Sequence, residues 1–151
     1  MKISSPAFKH NENISSTYTC DGQNINPPLE ISEVPENAKS LVLIMDDPDV
    51  PTFVREDGLW VHWLVWNIDP KTSVIKENAS DFGVVGLNTR GVSTYGGPCP
   101  PDREHRYFFK LYALDTTLDL DTETNKEQLE KAMAGHIIEQ AELIGVYKRN
   151  I

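Results

Sequence analysis

The chain has 151 residues, of which 39% are apolar and 25% are charged, and its formal net charge is -9. This length fits a single domain spanning residues 1–151, and the apolar content excludes a disordered chain. The acidic balance disfavours nonspecific binding to nucleic acid or to anionic lipid surfaces, because both require clustered Lys and Arg. An anionic ligand would therefore need a local positive site.

The sequence shows no targeting or membrane-spanning segment. Residues 1–16 lack an apolar stretch long enough for a signal peptide, and no later segment approaches the length of a membrane span. We therefore expect a cytoplasmic protein without membrane insertion. In the cytosol Cys20 and Cys99 are expected to be reduced, although both lie beside Gly or Pro in turn-like stretches and a disulfide between them stays open.

The first strongly apolar run ends in a rigid acidic turn. After short edge strands within residues 1–39, for example near Leu29–Ile31, five apolar residues from Leu41 run into the sequence DDPDVP at positions 46–51. The run predicts a strand buried on both faces, which must reach the surface where the carboxylates begin. Pro48 and Pro51 stiffen the turn and remove two backbone donors. The turn is therefore a candidate site.

Leu59–Ile68 is a second long strand, rich in aromatic and β-branched residues. Strict alternation places His62 on the face of Trp60 and Leu64, and Trp63 on the opposite face. Both faces are apolar, which predicts a central strand. A lone buried His is more often a satisfied core residue than a ligand, so this strand alone does not identify a site.

The next stretch combines short strands with an unusual loop. Val74–Ile75 and Gly83–Leu87 are short strand candidates, and Gly91–Asp102 contains three Gly and three Pro residues. Such a segment predicts an ordered loop whose backbone can approach a ligand closely. The strand His105–Leu114 follows at once, with His105 and Tyr107 on one face at its beginning.

The C-terminal region predicts helix. Thr124 is a candidate N-cap with Glu127 at capping-box spacing, and Lys126–Ala141 has the period of one helix, or of two broken at Gly135. A final strand is expected at Leu143–Tyr147. Five strand signals before a helical segment, without βαβ alternation, favour a mostly β fold: an antiparallel Greek-key β-sandwich with peripheral C-terminal helices.

Four motifs together resemble one known family. They are DPDVP at 47–51, WVH at 60–62, GGPCPP at 96–101 and HRY at 105–107. In this order and spacing they resemble the phosphatidylethanolamine-binding protein family, and its bacterial and archaeal Raf kinase inhibitor-like branch above all. The resemblance covers nearly the whole chain. It implies a β-sandwich with a small pocket for phosphate-like groups or phospholipid head groups, and ligand-binding residues at Asp47, Asp49, Trp60, His62, Gly97, Pro98, Pro101, His105 and Tyr107.

The chemistry of such a pocket suggests a charged imidazole. A neighbouring carboxylate favours a protonated ring, so Asp47 or Asp49 is expected to keep His62 or His105 cationic. The ring would donate its other N–H to a phosphate oxygen, together with the Tyr107 hydroxyl and backbone N–H groups at 96–97. Phosphate affinity would then fall as pH rises through the His titration. Alternatively, Asp49 braces the turn.

Three kinds of function are consistent with the sequence. The first is a small-anion or head-group binding protein that regulates a kinase or another protein partner, and we expect this rather than an enzyme. The second is a metal-dependent or hydrolytic enzyme, for which Asp47, His62 and His105 are the residue types of an iron triad. The third is a protease or kinase inhibitor acting through surface loops. No cofactor or metal is expected, and a homodimer stays open.

Overall fold

Two antiparallel sheets account for the eight strands in residues 1–150, the part of the chain described by this computed structural model. The chain also contains one 3-10 turn (Ser16–Tyr18) and one α-helix, α1 (Lys126–Met133). The strands are β1 (Lys2–Ser4), β2 (Leu29–Ser32), β3 (Ser40–Asp47), β4 (Trp60–Ile68), β5 (Val74–Ile75), β6 (Val84–Val85), β7 (His105–Leu114) and β8 (Ile137–Tyr147).

The larger sheet has the order β6-β4-β3-β7-β8, and the smaller has the order β1-β2-β5. All strand pairs within them are antiparallel. The prediction of a mostly β, antiparallel sandwich is confirmed, with one peripheral α-helix rather than several. In residues 1–150, no helix has both the length and the apolarity needed to cross a membrane.

Strand β3 is apolar from Leu41 to Met45, and both of its faces are covered. Leu43 and Met45 join the core between the two sheets, whereas Ile44 packs in a second cluster beneath α1. The same alternation sends two neighbouring carboxylates in opposite directions. Asp47 lies on the side between the sheets, and Asp46 lies on the side of α1.

Strand β4 contains two extra residues opposite β3, one of them at His62. Met45 pairs with Trp63 but the next residue pairs with Val61, so His62 has no partner of its own. Such a bulge turns two successive side chains toward one face. The His62 ring contacts Tyr107 in the core between the sheets, where Trp63 also packs. The predicted strict alternation, with His62 and Trp63 on opposite faces, is therefore wrong.

The predicted C-terminal helix is too long. It ends at Met133, and Gly135 adopts a left-handed φ of 83°, a conformation that favours Gly and reverses the chain. Residues from 137 onward pair with β7 instead, so β8 begins six residues before the predicted strand. Sheet pairing overrides the helix propensity of this segment. The capping box is also one residue later than predicted, at Asn125 and Gln128.

A partly buried ion pair joins β3 and β7 on the side of α1. Lys110 donates a hydrogen bond of 3.1 Å to Asp46 Oδ2, while Asp46 Oδ1 is buried without a partner. Burial raises the pKa of Asp46 above its ordinary value, although Lys110 opposes the shift. The raised native pKa means that Asp46 contributes most to stability when protonated, and this contribution is lost as pH rises through that pKa.

Replacing Lys110 by Met should lower the free energy of unfolding by about 1–3 kcal/mol at pH 7, because Asp46 would then carry a buried charge without a partner. Chemical denaturation measures this loss. At pH 4 the loss should be smaller, since the carboxyl takes up a proton. Adding Asp46→Asn to the Lys110→Met variant should restore most of the stability at pH 7. Equal losses at both pH values would contradict this account.

Candidate ligand-binding pocket

A cavity of about 340 Å³ opens at one end of the larger sheet, where β3, β4 and β7 meet the loops around residues 20 and 96–101. Its wall is mainly apolar, with a few polar groups, as is typical of small-molecule sites. Six of the nine predicted site residues line it: Asp47, Trp60, His62, Gly97, Pro101 and His105.

Three predicted residues lie outside the lining. Asp49 accepts hydrogen bonds from the Arg106 backbone N–H and from two guanidinium nitrogens, at 2.8–2.9 Å. Arg106 holds the pKa of this carboxyl below its ordinary value. Asp49 therefore braces the turn, the alternative that the sequence left open. Pro98 is buried and its carbonyl accepts from the Cys20 N–H, and Tyr107 lies behind the His62 ring, 5.3 Å between centroids.

The bulge makes His62 a pocket residue. Its carbonyl, freed from the sheet ladder, accepts the Gly96 N–H at 2.9 Å, and its Nδ1 lies 2.6 Å from the Gly96 carbonyl oxygen. A carbonyl only accepts, so Nδ1 must carry the proton. Nε2 is then an acceptor, and it is buried without a partner. Burial lowers the pKa of His62 to about 4, and the nearby His105 adds to this shift.

His105 is held between two carboxylates. Its Nδ1 lies 2.6 Å from Asp47 Oδ2, and its Nε2 lies 2.7 Å from an oxygen of the partly exposed Asp102. Carboxylates accept, so both ring nitrogens donate and the arrangement fits an imidazolium. Burial raises the pKa of Asp47, with the His105 hydrogen bond acting against it. Desolvation tends to raise the pKa of Asp102, but hydrogen bonds from His105 and the Arg103 backbone, together with the charges of His105 and Arg103, outweigh it and lower the pKa.

These contacts correct the expected anion site. The Nδ1–H of His62 is used by the backbone, and both ring nitrogens of His105 are used by carboxylates. The backbone N–H groups of Gly96 and Gly97 are also occupied, by the His62 carbonyl and by Asn24 Oδ1. Neither imidazole nor this part of the loop therefore has a free N–H to offer a phosphate. Of the two histidines that the sequence offered as partners of a carboxylate, His105 pairs with Asp47 and His62 pairs with the backbone instead.

Arg90, a cationic side chain that lines the pocket, was not among the predicted site residues. Arg90 is exposed and, among the residues that line the cavity, is the one Lys or Arg. The Asn88 side-chain oxygen accepts from the backbone N–H groups of Arg90 and Val92, which fixes the turn that carries the guanidinium. The acidic composition already required a local positive site, so the cation just before the Gly/Pro loop was an available signal. Val50 and Val54 add apolar wall.

Cys20 and Cys99 form a disulfide, with their Cα atoms 5.5 Å apart. The expectation of reduced thiols is therefore wrong for this structure. The two half-cystines belong to loops that are 79 residues apart in sequence, and both line the pocket. Proximity in the fold, which sequence spacing does not report, brings them together.

The metal alternative does not fit the geometry. Asp47 and His105 are in direct hydrogen-bond contact, which leaves no room for an ion between them, and His62 directs Nδ1 at a carbonyl. Within residues 1–150, no group of three or more His, Cys, Asp or Glu side chains is arranged to hold a metal ion. The iron triad considered from the sequence is thus not assembled.

Comparison with known proteins agrees with this architecture. A protein from Chlamydia trachomatis, known as UPF0098 protein, is 53% identical over 150 residues, covering 99% of this chain and 100% of its own. A crystal structure from the same organism, described as a phosphatidylethanolamine-binding protein homolog, superposes with a TM-score of 0.97 at 52% identity and covers 99% of this chain and 97% of that chain.

The likeness extends to a more distant structure. YbcL from E. coli, described as a member of the mammalian phosphatidylethanolamine-binding protein family, has a TM-score of 0.89 at 30% identity, covering 99% of this chain and 98% of its own. The family model for phosphatidylethanolamine-binding protein matches residues 4–148. The chain therefore belongs to the phosphatidylethanolamine-binding protein family.

Proposed function

We propose that the pocket binds a small phosphate monoester of the phosphoethanolamine type, with the phosphate in its singly protonated form. Family membership supports ligand binding in general. The observation that supports this ligand is the buried, unpartnered Nε2 of His62 in the pocket wall. A buried acceptor without a partner is unfavourable, so a ligand that donates a hydrogen bond there gains affinity.

The remaining groups favour a ligand that is also an anion. A phosphate monoanion carries one P–OH, which can donate to His62 Nε2, and two further oxygens that accept. The exposed Arg90 guanidinium suits those oxygens. A phosphate dianion has no proton to donate, and its lone pairs would face that of His62. The site therefore discriminates between two protonation states of one ligand.

A binding role is proposed rather than catalysis. The Ser93 hydroxyl donates to the Thr122 carbonyl at 2.6 Å instead of contacting a base, so it is not an activated nucleophile. The His62 ring donates one hydrogen bond to the Gly96 carbonyl, and both ring nitrogens of His105 are held by carboxylates, so neither ring contacts a nucleophile. Regulation of a kinase or protease and a cytoplasmic location stay predictions from the resemblance and from the sequence.

Replacing His62 by Phe should weaken phosphoethanolamine binding by about ten- to a hundredfold, the worth of one hydrogen bond to a charged group. Arg90→Ala should weaken phosphoethanolamine binding less than His62→Phe does. The effect of Arg90→Ala should grow as the ionic strength falls, because salt screens an exposed charge. Isothermal titration measures both effects. The matched control is His136→Phe, since His136 is exposed and pairs with Asp115 outside the pocket. Wild-type affinity in both pocket variants would contradict the proposal.

Affinity should fall as pH rises from 5.5 to 7.5, because the ligand loses its second proton with a pKa near ~6. The titratable side chains around the His62 ring are Asp47 on β3 and His105 and Tyr107 on β7. The pKa of His62, about 4, keeps that ring neutral throughout this range. The fall should therefore follow the titration of the ligand, at up to about tenfold per pH unit.

Sulfate distinguishes this account from a cationic imidazole, since it resembles phosphate but carries no proton at these pH values. We expect sulfate not to compete with phosphoethanolamine at millimolar concentrations. Competition by sulfate, or an affinity that is constant between pH 5.5 and 7.5, would contradict binding of the protonated monoester.

A further inference from the structure

The disulfide closes a seam between two loops that form one wall of the pocket. Cys20 follows the 3-10 turn, and Cys99 lies in the Gly/Pro loop at 96–101. Neither segment belongs to a sheet. The cross-link is thus the one covalent tie between two parts of the wall that no sheet pairing holds together.

Both half-cystines are exposed to solvent. Thiol–disulfide exchange requires an attacking thiolate to reach one sulfur, and exposed disulfides are the ones that are reduced and reformed in regulation. In the cytoplasm, the location that the sequence predicts, glutathione and thioredoxin-type dithiols would meet this bond. The position of the bond therefore makes it a target for reduction in the folded protein.

Few other contacts cross the seam. The Cys20 N–H donates to the Pro98 carbonyl at 3.1 Å, the Gly97 N–H donates to Asn24 Oδ1 at 2.8 Å, and the Tyr95 hydroxyl donates to the Tyr18 carbonyl at 2.7 Å. Each such hydrogen bond contributes modestly to stability. Breaking the disulfide would leave the loops joined only by such bonds, so that they could separate for most of the time.

The seam also controls the polar group of the pocket. Gly96, next to the seam, supplies the carbonyl that fixes the His62 tautomer. Gly97 packs so closely on the other loop that an added Cβ would lie 2.4 Å from both the Tyr18 carbonyl oxygen and Asn24 Oδ1. When the loops separate, the wall and the orientation of His62 Nε2 would be lost together.

We propose that the Cys20–Cys99 disulfide is a redox latch on the pocket: the oxidised form holds the wall for ligand binding, and reduction weakens binding. A dithiol reductant supplies two electrons. The Cys20–Cys99 S–S bond breaks, a disulfide forms within the reductant, and its two thiol protons pass to the cysteine sulfurs. For the ligand itself, the proposal rests on the proposed function.

The first test is independent of any ligand. Hydrogen exchange of the Cys20 and Gly97 amides, the two backbone donors that cross the seam, should be at least about tenfold faster in the dithiothreitol-reduced protein and in the Cys20→Ser/Cys99→Ser variant. Amides within β3 should be unchanged. Unchanged exchange at the seam would overturn the latch, as would a disulfide that dithiothreitol leaves intact in the native protein, by thiol counting.

The second test measures phosphoethanolamine affinity by isothermal titration. The oxidised protein should bind about tenfold more tightly than the reduced protein, which corresponds to a competent wall for roughly a tenth of the time after reduction. The Cys20→Ser/Cys99→Ser variant should bind phosphoethanolamine as weakly as the reduced protein, and dithiothreitol should not change its affinity. Equal affinity in both redox states would overturn the latch. No binding to the oxidised protein would instead overturn the proposed function, while the exchange result would still decide whether the seam opens.

Discussion

The pocket depends on a reciprocal pair of hydrogen bonds between His62 and Gly96. The bulge at His62 in β4 frees the His62 carbonyl from the sheet, and this carbonyl accepts a hydrogen bond from the Gly96 N–H. The Gly96 carbonyl in turn accepts a hydrogen bond from the Nδ1–H of the His62 ring. The backbone of one loop residue thereby sets the position and the tautomer of a side chain on a central strand, while burial keeps that ring neutral. Without the bulge, His62 would point toward α1 and the pocket would lack its acceptor.

The electrostatics of the pocket follow from the ion pairs that its charged side chains already form. His105 is neutralised by Asp47 and Asp102, so the protein supplies its own anions to the imidazole that a ligand would otherwise use. Asp49 is likewise committed to Arg106. What remains for a ligand is one acceptor and one exposed guanidinium. In a chain of net charge -9, such a site is consistent with the proposed ligand, which is both a donor and an anion.

The parts of the fold that sequence predicts well are those set by local apolar patterns. The central strands near 41–47, 60–68 and 105–114 are long and flanked by turn residues, and the structure contains all three within a residue or two. Residues 137–142 have the composition of a helix, but β7 offers them a partner, and Gly135 allows the chain to turn back. Local propensity therefore predicts the central strands, but it does not predict a strand at residues 137–142, which depends on pairing with β7.

The candidate site was predictable in membership but not in chemistry. Residue types and motif order brought six of nine residues to one cavity. The charge on each imidazole, however, depends on which atom faces which: the bulge at His62 decides this for one ring, and two carboxylates decide it for His105. An alternation of period two carries no signal for a bulge. The sequence therefore left open whether the carboxylate pairs with His62 or with His105, and the structure pairs Asp47 with His105.

Strands and loops contribute different residues to this pocket, and this difference bears on the proposed redox regulation. The sheet contributes His62, His105 and Asp47 from β4, β7 and β3, the three strands of the larger sheet that have a neighbouring strand on each side. The loops contribute Gly96, Gly97 and Cys99, which have few backbone partners of their own. A change that alters only the loops can therefore alter the ligand affinity without melting the core. Under the proposed redox latch, the Cys20–Cys99 disulfide acts on the loop whose Gly96 carbonyl fixes the tautomer of His62.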